Sequence, residues 1–186
     1  MGTTILAHRY FFAAVPDPVS AARIHAWAER KLGPEGMLAA ERLHVTLAIT
    51  DDFAAPQPGI VRVLMEAAER IAATPFELLL DRLSIGGRSI ALRPGHTQPP
   101  LRELHARIAG GMDEAGIALR TGWRFSPHVT LGYRESSPST RPVADLGWTV
   151  SEFALIHSLV GLSRHELLGR WALAPRPDPQ LSLFSA

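Results

Sequence analysis

The tetrapeptide His-Val-Thr-Leu occurs twice, at His44-Val45-Thr46-Leu47 and again 84 positions later at His128-Val129-Thr130-Leu131. In an extended chain, residues i and i+2 share a face. Each copy therefore presents a histidine and a hydroxyl together and turns its valine and leucine to the other side. Two such strands brought together place two imidazoles and two hydroxyls around one volume. A neutral imidazole can take a proton from an attacking water while an imidazolium gives one to a leaving oxygen, each role typically worth about 10²–10⁴ in rate. The unperturbed histidine pKa of about 6.5 lets both forms exist near neutrality. The hydroxyls can donate to oxygens on which negative charge gathers. The chemistry this set of groups suits is opening of a phosphodiester.

The elements that must position these groups are legible from pattern. Tyr10 to Val15, closed by Pro16, reads as a buried strand. Asp17-Pro18 reads as a helix start, with Ile24, Trp27 and Ala28 on one face and Gly33-Pro34 ending it. Leu43 to Ile49 is a second strand and Ile60 to Ala72 a second helix. Phe76 to Ile85 and Arg88 to Leu92 flank Gly86-Gly87, the composition of a two-residue hairpin with positive φ at both glycines. After a linker over Arg93 to Pro100, the residues Leu101, Leu104, Ile108 and Met112 mark a third helix, weakened by Gly110-Gly111. Phe125 to Tyr133 is a strand, Glu135 to Gly147 a polar loop placed where a lid could cover the site, Val150 to Val160 a long strand and Trp171 to Ala174 a short one. From Pro175 the chain reads as an extended tail. Hairpins mixed with single helices predict an α+β fold with a largely antiparallel sheet. The two motif strands each follow a helix, which suggests two lobes of similar design within one domain over residues 1–186.

Composition narrows the classes. The chain has 186 residues, 46% of them hydrophobic and 20% charged, as expected of a globular protein with a real core. It has no cysteine, which excludes disulfides, thiolate-bound metals and a cysteine nucleophile. The amino terminus lacks a signal pattern and no apolar run approaches the roughly 20 residues of a membrane span, so the reading is a cytoplasmic protein with no membrane partner. Net charge is +1, from 19 basic and 18 acidic side chains, so nucleic acid would be met locally in a cleft rather than coated. With no long exposed apolar stripe, a monomer is expected.

The paired His-x-Thr-x motifs resemble those of the 2H phosphoesterase superfamily. So do the Tyr-Phe-Phe-Ala strand at residues 10–13, Arg42-Leu43 before the first motif, Phe125-Ser126-Pro127 before the second and the closing Leu155-Ile156-His157-Ser158 strand. The closest members are the RNA 2',3'-cyclic phosphodiesterases, also called 2'-5' RNA ligases, and the likeness runs from Tyr10 to about Leu173. It implies a bilobal fold with pseudo-twofold symmetry, His44 as proton donor, His128 as proton acceptor, opening of the cyclic phosphate to a 2'-phosphate, and no metal or other cofactor. Many members carry Phe-Leu-Gly where this chain has Ile49-Thr50-Asp51, and an arginine where it has Tyr133.

Thr46, Thr130 and Arg134 are the expected phosphate ligands, since unbroken strand parity places Arg134 rather than Tyr133 on the His128 face. Arg42 and Ser126 lie two residues before a motif histidine and are expected substrate contacts, with Tyr133 a further one. Arg82, Arg88 and Arg93 around the hairpin could line an RNA path. The expected partners are RNA ends, or oligonucleotide or nucleotide cyclic phosphates. Linear 2'-5' linkages, small cyclic nucleotides and a non-catalytic module that only binds RNA ends are the competing readings. Asp51 and Asp52 would be the carboxylates of a metal site, though no His-x-His or Asp-x-His ligand cluster accompanies them. His8, His25, His96, His105 and His165 are expected to be spectators, and His157 a weaker candidate for the cleft.

Overall fold

A computed structural model describes residues 7–162 and 164–174; the expected tail from Pro175 lies outside them. Eight strands form one sheet in the order β6-β3-β4-β5-β2-β1-β7-β8, and every pairing is antiparallel. The strands are β1 (Ala7–Ala14), β2 (Val45–Ile49), β3 (Phe76–Ile85), β4 (Ser89–Arg93), β5 (Val129–Tyr133), β6 (Ser139–Val150), β7 (Glu152–Val160) and β8 (Arg164–Ala172). Three helices join them: α1 (Pro18–Leu32), α2 (Pro58–Ala68) and α3 (Pro99–Glu114). The order places four strands on either side of the β5–β2 seam. Each half contains a strand, a helix and then a motif strand: β1-α1-β2 and β4-α3-β5.

Local chemistry accounts for the helices. The Asp17 side chain accepts hydrogen bonds of 3.0 Å from the N–H groups of Val19 and Ser20, Pro18 needs no partner in the first turn, and Gly33 ends α1 at φ 82°. The buried face of α1 is Ala21, Ile24 and Ala28; that of α3 is Leu101, Leu104, Ile108 and Met112. Gly111 costs helix propensity, but a Cβ there would stand 3.3 Å from Ile71 Cδ1, so the glycine lets the chain beyond α2 approach α3 closely.

The helix face of the sheet carries the main core, in which Tyr10, Phe12, Val45, Leu47, Leu83, Leu92, Val129 and Leu131 are buried. Phe11, Ala13, Ala154 and Ile156 form a smaller cluster on the opposite face. The halves are joined by a single matched pair, Val45 opposite Val129. Beyond it the strands part, and each exposed edge is closed by chain from near a helix end. Leu38 N–H donates to Leu131 O at 2.7 Å and Tyr133 N–H to Gly36 O at 2.9 Å; Arg120 N–H donates to Ile49 O at 2.8 Å. His105 Nδ1–H donates to Leu47 O at 2.7 Å, its ring stacked on Phe125 at 4.1 Å. His105 is thus a structural tie between α3 and a motif strand, not an exposed spectator.

Several boundaries differ from expectation. Residues 139–147, expected as part of a loop, belong to β6, which pairs with β3 along most of its length; a lid from this segment is ruled out because its backbone is committed to the ladder. The expected strand over 150–160 breaks at Ser151, between β6 and β7, and the last strand begins at Arg164 rather than Trp171, because β8 returns from β7 as a hairpin. The β3–β4 hairpin closes with Gly86 N–H donating to Ser89 O, three residues lying between the strands. Neither of its glycines takes positive φ, which a loop of that length does not demand.

The close approach at Gly132 has a measurable consequence. A Cβ on Gly132 would fall 2.4 Å from Gly36 O and 3.0 Å from Met37 Cα, both backbone atoms. Gly132→Ala must push the Gly36–Leu38 segment off β5. The expected loss is about 1–3 kcal/mol, read as a lower urea midpoint at unchanged slope; an unchanged midpoint would contradict this packing.

Candidate active site

The Val45–Val129 pair determines the geometry of the site. Both valines are fully buried on the helix face, so their neighbours on either side emerge on the other face. Antiparallel counting from this pair sets His44 across from Thr130 and His128 across from Thr46. By this register the four polar residues lie on one face of the sheet, on either side of the seam, and all four are half-buried.

Each histidine is oriented by its own strand. His44 Nδ1 lies 2.8 Å from Arg42 O and His128 Nδ1 lies 2.7 Å from Ser126 O. A carbonyl only accepts, so in both rings Nδ1 carries the hydrogen and Nε2 is the nitrogen that exchanges protons. The ring of His44 also packs on Phe11, with centroids 5.0 Å apart. Burial pushes the His44 pKa down to about 4; the bond to Arg42 O works against this, while His165, His128 and Arg42 add to it. Burial lowers that of His128 as well, opposed by the bond to Ser126 O and assisted by Arg93. Both shifts favour the neutral ring in the free protein, that of His44 the more strongly.

The expected contacts divide. Arg42 borders His44 and lines a cavity of about 120 Å³ beside it. Ser126 is exposed and accepts a 2.9 Å hydrogen bond from Arg93 Nη1. Arg134 does not reach the motif face. Ala91 pairs with Thr130 and Ile90 with Gly132, so a bulge at Leu131 reverses the parity of all that follows. Tyr133 emerges on the histidine face, 61% exposed, while Arg134 turns to the helix side and donates from Nη1 to Leu32 O at the end of α1, 2.9 Å away. The arginine's place on the motif face is thus held by Tyr133.

The cation whose charge acts on His128 is Arg93, at the end of the hairpin strand β4. Leu92 is buried in the core, so Arg93 and its cross-strand partner Arg82 face the cleft side; Arg88 lies in the hairpin loop. Sequence reading missed His165, which β8 brings to within 5.6 Å of His44, centroid to centroid, and 5.4 Å of Phe11. The signal that could have found it is Gly161, a turn residue after the β7 pattern that sends the chain back as a hairpin.

Asp51 and Asp52 are engaged elsewhere: Asp52 binds Arg9 and Arg120, and Asp51 accepts from the N–H and hydroxyl of Thr121. His157 leaves the cleft altogether. It lies on the helix face, buried with His8, which it meets at 2.9 Å, and with Glu166 at 3.2 Å, bordering a cavity of about 600 Å³ next to α2. His8, expected to be exposed, is one of the few buried polar residues. Among the described residues no helix is long and apolar enough to cross a membrane.

Known proteins share this fold. A family model for the 2'-5' RNA ligase superfamily matches residues 15–161. The structure of E. coli LigT in apo form is 27% identical, with a TM-score of 0.74 over 91% of this chain and 99% of that one. LigT complexed with 3'-AMP is 26% identical, with a TM-score of 0.71 over 90% and 98%. TT0787 of Thermus thermophilus, 24% identical with a TM-score of 0.70 over 90% and 99%, shares the fold. No curated protein sequence matches. With two four-strand halves meeting in one antiparallel sheet, a His-x-Thr motif on each of its two central strands and a family match over most of its length, the chain belongs to the 2'-5' RNA ligase superfamily of 2H phosphoesterases.

Proposed function

We propose that this phosphoesterase opens RNA 2',3'-cyclic phosphate ends to 2'-phosphates without a metal. The single observation that carries the reading is the Val45–Val129 pair, whose register puts His44, Thr46, His128 and Thr130 on one face at the seam. Two proton-exchanging Nε2 atoms on opposite sides of one volume suit in-line displacement, in which the entering and leaving oxygens lie on opposite sides of phosphorus. His128, neutral, takes a proton from water as the water oxygen bonds to phosphorus. The P–O3' bond breaks, and His44, protonated, gives its proton to the departing 3'-oxygen. The two threonine hydroxyls donate to the non-bridging oxygens as phosphorus becomes five-coordinate, and Arg42, Ser126 and Tyr133 stand at the margins as substrate contacts. With a 5'-hydroxyl in place of water as the nucleophile, the same ring opening, in which the P–O3' bond breaks and O3' takes the proton, leaves a 2'-5' linkage. That LigT takes 3'-AMP, a ribose phosphate, is consistent with a nucleotide-sized ligand. The protein is expected to act as a cytoplasmic monomer.

The test is hydrolysis of a short RNA ending in a 2',3'-cyclic phosphate, with EDTA present, and identification of the product as the 2'-phosphate. Absence of turnover by folded protein would reject the substrate; turnover abolished by EDTA would reject the metal-free mechanism.

The lowered histidine pKa values give the pH dependence a sign. The reaction needs His44 protonated and His128 neutral. Because His44 is the more strongly lowered of the two, this is the minor form of the singly protonated pair, which as a whole populates between the two depressed pKa values and vanishes above both. kcat/KM, which reports the free enzyme, is therefore expected to peak below pH 6.5 and to fall as pH rises from 6 to 8. The bound phosphate anion favours the imidazolium, so the profile of kcat should lie at higher pH than that of kcat/KM. A kcat/KM that rises from pH 6 to 8 would contradict the burial-driven shifts.

A further inference from the structure

Beside His44 stand two basic residues, Arg42 and His165, that take no part in the proton transfers of the hydrolysis above. Arg42, His44 and His165 line the cavity of about 120 Å³, with Leu167 contributing apolar wall. His165 is placed there by β8, where it pairs with Ser158, and its ring meets those of His44 and Phe11 edge-on. Arg42 has no carboxylate partner among the described residues, and its Nε is buried with no hydrogen-bond acceptor. The acidic groups nearby do not serve it: Glu41, also lining the cavity, is exposed, and Glu152 is paired with Arg170. A buried guanidinium N–H without an acceptor is costly and calls for an anion or water. Burial and then the Arg42 charge lower the pKa of His165, a bias that an oxyanion between the two would reverse. One ligand chemistry thus satisfies both residues.

We propose that Arg42 and His165 form a second phosphate subsite, adjacent to the reacting one, that receives the phosphate on the 5' side of the terminal nucleotide. The substrate class is then the end of an RNA strand rather than a lone nucleoside cyclic phosphate. The inference rests on the catalytic reading above and deepens it. The cavity of about 120 Å³ has room for a phosphate group, and the planar fork of an arginine matches two phosphate oxygens. His165 adds a donor once protonated, and its ring is held by Phe11.

The test compares product-state ligands by calorimetry at pH 6: adenosine 2'-monophosphate, adenosine 2',5'-bisphosphate, and an ApA dinucleotide ending in a 2'-phosphate. The second and third are expected to bind the native protein about tenfold tighter than the first, as for an added charge-assisted contact. The gap should close in Arg42→Gln and in His165→Gln. The C2–H proton of His165, followed by NMR, should report a higher pKa with the dinucleotide than with the monophosphate. Equal affinity for all three ligands, or a gap that survives both substitutions, would overturn the subsite. A gain for the bisphosphate without one for the dinucleotide would overturn the RNA-strand assignment in favour of a 5'-phosphorylated mononucleotide. Turnover of the cyclic-ended dinucleotide is scored separately. An affinity gap without hydrolysis rejects the catalytic reading and keeps the subsite; hydrolysis without a gap does the reverse.

Discussion

His44→Ala and His128→Ala are each expected to lower kcat on a cyclic-ended RNA by about 10²–10⁴, with the fold intact. Both side chains are half-buried and emerge on the face opposite the main core, and each uses its Nδ1 only on a carbonyl two residues away. Truncation therefore removes a proton carrier without opening a cavity in the core. His44→Ala also loses the ring contacts with Phe11 and His165, so it should be the more destabilising of the two. The double variant should be little worse than either single one, because removing one member of a concerted pair already disables the other. The measurement is single-turnover hydrolysis beside circular dichroism and thermal melting. A single variant that melts like the native protein and keeps a tenth or more of its rate would remove that histidine from the mechanism. Unaltered RNA-end affinity with no turnover even in the native protein would favour a binding module.

Thr46→Val and Thr130→Val are expected to reduce kcat by about 10²–10³, as loss of one oxyanion donor does, with smaller changes in KM. Valine has the shape of threonine and suits a strand as well, so the exchange of hydroxyl for methyl is the main change. The register gives the prediction a further edge. His44 stands across from Thr130 and His128 across from Thr46, in equivalent positions about the seam, so the two variants should fall within about tenfold of each other if both hydroxyls hold the developing charge. A fall in kcat/KM carried entirely by KM, in both variants, would assign the threonines to ground-state binding instead. A change in neither constant would remove them from the site.

The motif strands were legible because alternation is a short-range signal: a buried valine between a histidine and a threonine dictates the faces wherever the strand goes. Helix α1 was legible because its start is chemical, an aspartate cap and a proline. The failures have one physical source, dependence on distant chain. The residues after Glu135 look like a loop because serine, proline and glycine are locally poor strand formers. They form β6 because β3 offers them a ladder. At Gly147 a Cβ would overlap Leu78 O, so the glycine that closes the expected loop is needed where two backbones meet. Arg134 was assigned to the motif face by counting in twos, and a bulge at Leu131, invisible in composition, moved it to the end of α1.

His165, His157 and His8 illustrate the same limit from the other side. All three are strand residues with polar side chains, and nothing within a few positions distinguishes them. The hairpin of β8 on β7 sends His165 to His44, while the pairing of β1 with β7 buries His8 against His157 on the far face.

By itself the sequence determined the candidate reactive groups, the face each shares with its neighbour, the α+β class and the likeness between the two halves, because all of these follow from residue chemistry and the period of two in a strand. The tertiary structure alone decided that one valine pair joins the halves, that Tyr133 rather than Arg134 borders the site, and that Arg42 meets His165 beside His44. Register, bulges and strand order are properties of two chain segments at once. They are settled by which backbone groups find partners across the sheet, a competition that no single stretch of sequence contains.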